Sequence, residues 1–159
     1  MPRDLSQLLQ RAIDRELPNL LAAPDAVRAK GWSHKQELGH LIDSAANNHI
    51  RFVLASIDGE FRGQGYAQDK WVEAHGYEDM EWRRLVDFWY HYNALLVHLI
   101  ERIPEDRLNN RCVIGWGVQT LQFIIKDYVL HMQHHLDHVL ARDPVTPYPA
   151  AETQTDLRV

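Results

Sequence analysis

The amino-acid sequence predicts an all-α protein built as a four-helix bundle. Three observations lead there. Apolar residues recur three and four positions apart in four long stretches of the 159-residue chain. Capping and breaking residues separate those stretches. No segment longer than a few residues alternates with the two-residue period of a strand, and no internal repeat is present.

The first helix is expected from Asp4 to about Arg28, carried by Leu5, Leu8, Leu9, Ala12 and Ile13. Pro18 should kink it or split it near Leu17. The stretch from Lys30 to Ser33 is a break. Ser33 and Gln36 stand at capping-box spacing, so a second helix starts at His34 and runs to about Ile57. Asp58 and Gly59 end it, and Gly63 and Gly65 keep the next stretch irregular. From Asp79 to Ile103 a third helical period runs through Trp82, Leu85, Val86, Trp89, Tyr92, Leu96 and Leu99, until Pro104 stops it. Residues 105–118 form a connector containing Gly115-Trp116-Gly117. Gln119 or Thr120 then opens a fourth helix that continues to about Ala141. The bundle domain is expected over 1–143, and 144–159, with prolines at 144, 147 and 149, as an extended or disordered arm. Four such helices make a bundle of antiparallel type.

Composition narrows the function classes. A net charge of −5, with no basic run, argues against a nucleic-acid partner. No apolar run is long enough to span a bilayer, and the start does not resemble a signal peptide. Cys112 is the only cysteine, which excludes an internal disulfide and makes a reducing cytoplasm the expected location. It falls on a predicted loop with no adjacent base, and no chemistry is assigned to it. Ten histidines are the unusual count.

On a helix, His131 and His135 share one face and can bite a single ion. Spacing alone does not decide it, because His134 and His138 make a second pair of the same kind. On the helical wheel His131 and His135 lie at the margin of the core face beside Ile124 and Tyr128, with His134 toward the polar side. His138 is nearer, as a substitute ligand or a supporting group. The plain alternative is two partly buried core histidines. His40 is the candidate third ligand. It shares a helical strip with Glu37, Asp43, Ser44, Asn47 and Arg51, which is either a solvated polar face or the lining of a polar pocket.

The run from Trp32 to Phe52, containing His40, Asp43, Ser44, Asn47 and Arg51, closely resembles the second-helix signature of the DinB/YfiT-like superfamily. Tyr66, Asp69 and Trp71 resemble the loop that follows it there, and Tyr128 to His135 resembles its fourth-helix motif. The resemblance covers about residues 30 to 140. It implies a four-helix bundle that binds one divalent metal through His40, His131 and His135, often as a homodimer. Members include S-transferases that use bacillithiol, mycothiol or glutathione, a mycothiol-dependent isomerase, and proteins named as metal-dependent hydrolases.

Three neutral imidazoles leave an ion with open positions and suit zinc or nickel, among others. Such an ion supports two chemistries, a metal-held thiolate for S-transfer or a metal-bound hydroxide for hydrolysis. Thiol S-transferase, with a low-molecular-weight thiol as co-substrate, is the leading expectation. The others are hydrolase and a non-catalytic metal-binding stress or interaction protein. Asp43 stands one turn after His40, placed to orient a ligand ring or act as a base. Asn47, Arg51, Tyr66 and Asp69 are the candidate residues for a small-molecule substrate, with Arg51 suited to a carboxylate. Each has a plainer alternative: a solvent-facing carboxylate for Asp43, an ion pair for Arg51, structural anchoring for Trp71.

Overall fold

The structure is a computed structural model that describes residues 1–23, 31–115, 117–144 and 148. Its first helix, α1 (Pro2–Ala22), buries Leu5, Leu9, Ala12, Ile13 and Leu20 along one stripe. It continues without interruption through Pro18, so the chain is not split into two helices near Leu17. Only one turn follows the proline, and that turn has outside support. Trp82 Nε1, from across the bundle, donates to the Leu20 carbonyl at 2.8 Å, and within the helix the Asn19 side-chain amide donates to the Arg15 carbonyl at 3.3 Å. The stretch expected to extend this helix lies, from 24 onward, outside the described residues.

Helix α2 (His34–Asp58) starts where the capping box predicts. Ser33 accepts from the Gln36 N–H while the Gln36 side chain accepts from the Ser33 N–H, and Gly59 closes the helix with φ of 83°. The connector to the next long helix is more ordered than expected. It holds β1 (Glu60–Gly63), α3 (Gln68–His75) and a 3-10 turn (Tyr77–Asp79). Helix α4 (Trp82–Glu101) follows. A further 3-10 turn then leads to β2 (Arg111–Ile114) and β3 (Gly117–Thr120). Helix α5 (Leu121–Val139) is capped by the Thr120 hydroxyl, which accepts from the Phe123 N–H.

The three strands form one small sheet. β1 pairs with β2 in parallel, Glu60 opposite Arg111, and β2 pairs with β3 antiparallel, Arg111 opposite Thr120. Cys112 therefore lies buried in β2 rather than on a loop.

The bundle is not uniformly antiparallel. Trp82 meets Leu20 and Tyr90 meets Asp14, so α1 and α4 run in opposite directions. Lys35 reaches Glu78 just before α4, His49 meets Tyr92, and Asn110 reaches Ala55 just after it, so α2 and α4 run the same way. The connector spanning 59–81 makes that crossover possible. α5 runs back against α2, and this pair frames the candidate site. Trp89, Phe52, Leu96, Ile124 and Tyr128 are among the core residues at the bundle centre. The buried Tyr128 hydroxyl donates to Asn93 Oδ1 at 2.5 Å. Among the described residues no helix is long and apolar enough to cross a membrane. The proline-containing arm expected over 144–159 falls outside the described residues except for Pro144 and Tyr148.

Candidate metal centre

His40 sits in the second turn of α2 with no exposed surface, so its strip lines the interior rather than meeting solvent. His131 and His135, one turn apart on the opposed α5, face it. The ring centroids form a triangle with sides of 5.1 Å (His40–His131), 4.6 Å (His40–His135) and 4.5 Å (His131–His135). Each ring offers a nitrogen within 4.8 Å of the others. The indole of Trp32 lies 4.9 Å from the His40 ring and 6.5 Å from that of His135, an apolar wall on one side.

The donor set fits a divalent ion. His40 Nε2 and His131 Nε2 are 3.2 Å apart. Two imidazole nitrogens on one tetrahedral ion, at bonds of about 2.0–2.1 Å, stand about 3.3 Å apart. Glu37 completes the arrangement: its Oε2 lies 2.7 Å from His135 Nδ1. A carboxylate on Nδ1 fixes the tautomer and directs the lone pair of Nε2 away from it, as in carboxylate–histidine–metal sites. The other oxygen of Glu37 lies 3.8 Å from Nδ1 of the half-exposed His138.

Asp43 is buried, and its Oδ1 accepts from the Tyr77 hydroxyl at 2.6 Å and meets His75 Nδ1 at 3.1 Å. Burial raises its pKa, while Tyr77 and His75 pull it back down. Asp43 is thus tied to the α3 side of the molecule. Its Oδ2 is buried with no hydrogen-bond partner among the described residues. Rings link this carboxylate outward, from Tyr77 to His75 to Trp71 to Tyr66.

Arg51 is 2% exposed. Its one hydrogen bond is a long contact of 3.5 Å from Nη1 to Asn48 Oδ1, and Nη2 has no partner among the described residues. Burial lowers its pKa, and the Tyr66 hydroxyl and Cys112 thiol are the groups it feels most. Burial pushes the Cys112 thiol up to about 11, with Arg51 opposing, so it stays protonated at neutral pH. Asn47 bonds back to the Asp43 carbonyl of its own helix, and Asp69 is solvent-exposed in the first turn of α3. The structure therefore brings His40, His131 and His135 together, buries Asp43 and Arg51 on the same helix, and leaves Asp69 outside.

Three residues of this region were absent from the sequence-derived candidates: Glu37, His75 and Tyr77. Glu37 carried a signal, since it lies three residues before His40 on the same strip. His75 and Tyr77 carried none, because they approach Asp43 through a connector with no readable period.

No family model matches the chain. A protein of Bacillus cereus (strain AH820), provisionally named a metal-dependent hydrolase, is 28% identical over 139 residues, 86% of this chain and 78% of that relative. A second of that provisional name, from Bacillus mycoides (strain KBAB4), is 36% identical over 70 residues, 44% of this chain and 39% of its own length. Among solved structures, YfiT from Bacillus subtilis superposes with a TM-score of 0.76 at 19% identity, covering 88% of this chain and 84% of its own. It is described as a probable metal-dependent hydrolase with an unusual four-helix bundle topology.

Proposed function

We propose that the chain, which shares the fold of YfiT, is a member of the DinB/YfiT-like superfamily and a metal-dependent enzyme in which His40, His131 and His135 hold one divalent ion, zinc or nickel. One observation carries the proposal: three imidazole nitrogens within 4.8 Å of one another, between two packed helices. An ion held by three imidazoles keeps positions open and lowers the pKa of a thiol or water brought to it.

The chain's own residues then divide the work. Glu37 holds the Nδ1 proton of His135 and so aims its Nε2 at the other two rings. Trp32 keeps water from one flank of His40. Arg51 supplies a buried cation for a carboxylate, beside Tyr66. Asp43, one turn after His40 and held by Tyr77 and His75, is the candidate for moving a proton.

The reaction we favour is S-transfer from a low-molecular-weight thiol to an electrophile. The buried guanidinium supports it for a thiol that carries a free carboxylate, as glutathione and bacillithiol do. Hydrolysis is the second reading, favoured by the provisional names of the relatives. One assay separates them. Zinc- or nickel-loaded protein is offered an electrophilic aryl halide with thiol and an activated ester without it, beside His135→Ala. Thiol-dependent turnover that falls at least 100-fold on chelation and in the variant is expected. Ester turnover without thiol would move the assignment to hydrolysis. No turnover with either, together with ion-dependent stabilisation, would leave a metal-binding protein without catalysis. The same reading includes a homodimer, for which exposed Ile50, Ile57, Phe88 and Leu95 on α2 and α4 offer apolar surface; sedimentation velocity tests it.

A further inference from the structure

We propose that Glu37, His135 and His138 form a second divalent-cation site, open to solvent, that shares His135 with the buried triad and serves as its loading position. The inference rests on the triad as the resident metal site. The ligand atoms of these three residues also lie within 4.8 Å of one another. The Glu37 carboxylate lies between two imidazoles, Oε2 at 2.7 Å from His135 Nδ1 and Oε1 at 3.8 Å from His138 Nδ1. Accessibility runs in one direction along α5. The His138 side chain is 45% exposed, that of His135 16%, and residue His131 only 4%. Outside them, the His134 ring lies 4.4 Å from that of His138, a pair one helical turn apart. A hydrated ion therefore reaches His138 first, and through it His135 and the Glu37 side chain, 8% exposed, before it can reach His40.

Lone-pair counting makes the two sites alternatives. A neutral imidazole has one lone pair for a metal, because its other nitrogen carries the proton. When Glu37 accepts the proton on His135 Nδ1, the lone pair is on Nε2 and belongs to the triad. When His135 gives Nδ1 to an ion shared with Glu37 and His138, the proton is on Nε2 and His135 is lost to the triad. The chain thus holds one ion at a time, and moving that proton across one ring hands the ion from the mouth to the interior. Glu37 changes role in the exchange, from ligand in the outer site to hydrogen-bond acceptor behind the inner one.

Cobalt(II) is the probe, because its visible absorption reports binding and coordination without any turnover. Wild type, His138→Ala, His40→Ala and His40→Ala/His138→Ala are titrated with it and mixed in stopped flow. Wild type should take one ion per chain. His40→Ala should keep one site at least tenfold weaker, and the double variant should bind at least tenfold more weakly again. His138→Ala, at a half-exposed position that does not threaten the fold, should reach the same one-ion endpoint at least fivefold more slowly. Equal binding by His40→Ala and the double variant would overturn the second site. Two ions per wild-type chain would overturn the sharing, and wild-type loading by His138→Ala would overturn the loading role. Wild-type affinity in His40→Ala would instead remove the triad reading, which keeps the two failures apart.

Discussion

A guanidinium 2% exposed, without a carboxylate to pair with among the described residues, is an expensive thing to keep in a bundle core. Arg51 gains one long bond to Asn48 against the desolvation of a full charge. If it served the fold, an apolar side chain of similar volume would be a poor substitute. If it waits for an anion, the apolar side chain should be tolerated. Arg51→Met is therefore expected to leave stability unchanged or to raise it by about 1–2 kcal/mol in urea unfolding. Affinity of the metal-loaded protein for glutathione, long enough to reach from the triad toward Arg51, should fall at least tenfold, with 2-mercaptoethanol little affected. A loss of more than about 2 kcal/mol would return Arg51 to a structural role. The sequence marked this arginine but did not reveal its burial. A helical strip tells which side chains share a face, and only the packing partners tell whether that face meets water.

At the scale of the element, α2 was the most readable part of the chain because both its ends carry local chemistry, the Ser33–Gln36 box and the Gly59 cap. The connector after it was not, since strands of four residues show no usable period and the parallel β1–β2 pair joins segments about fifty positions apart. Pro18 did not split its helix, and the turn after it is met from across the bundle by Trp82, a contact local sequence does not show. One helical position ties α2 to the connector. A Cβ on Gly39 would lie 2.1 Å from Tyr77 Cδ2 and 2.3 Å from its Cγ, so the ring occupies the space a side chain needs. Gly39→Ala gains about 1 kcal/mol of helix propensity. Against this stand about 1–3 kcal/mol for overpacking and about 1.5–3 kcal/mol for the displaced Tyr77–Asp43 hydrogen bond. We expect a net loss of about 1.5–5 kcal/mol by chemical denaturation, with the bound-metal stoichiometry retained. A stabilised Gly39→Ala protein would show that Tyr77 is not held in this position.

Over the whole molecule, the sequence could place each histidine on a helix but not the helices against one another. The convergence of His40 with His131 needs α2 and α5 opposed across ninety-one positions of chain. The same holds for the contact that fastens the first helix to the last. Glu16, with no exposed surface, accepts from Arg142 at 2.8 and 2.9 Å, from Arg15 at 2.6 Å and from Asn19 at 3.0 Å. Arg142 in turn donates to Asp137 at 2.7 Å, near the candidate metal centre on α5. Burial works to raise the Glu16 pKa, but these donors outweigh it and hold the carboxyl at about 2, below an ordinary value of 4.5. A folded pKa below the unfolded one means the unfolded chain binds the proton more tightly. The stabilisation is therefore fully present above pH 4.5 and is lost as pH falls toward about 2. Its size is on the order of 3 kcal/mol. Glu16→Gln removes the charge while keeping the shape. At pH 7 it should unfold with a free energy lower by about 2–4 kcal/mol, because Arg142 is left partly buried with only Asp137. Carboxylates outside the Arg142 network are common to both proteins, so the gap between them isolates the Glu16 contact. In urea unfolding from pH 7 downward that gap should hold to about pH 4.5 and then narrow toward zero as pH approaches 2. A gap constant over the whole range would mean that Glu16 does not act through its charge, and that the bundle's ends are joined by packing alone.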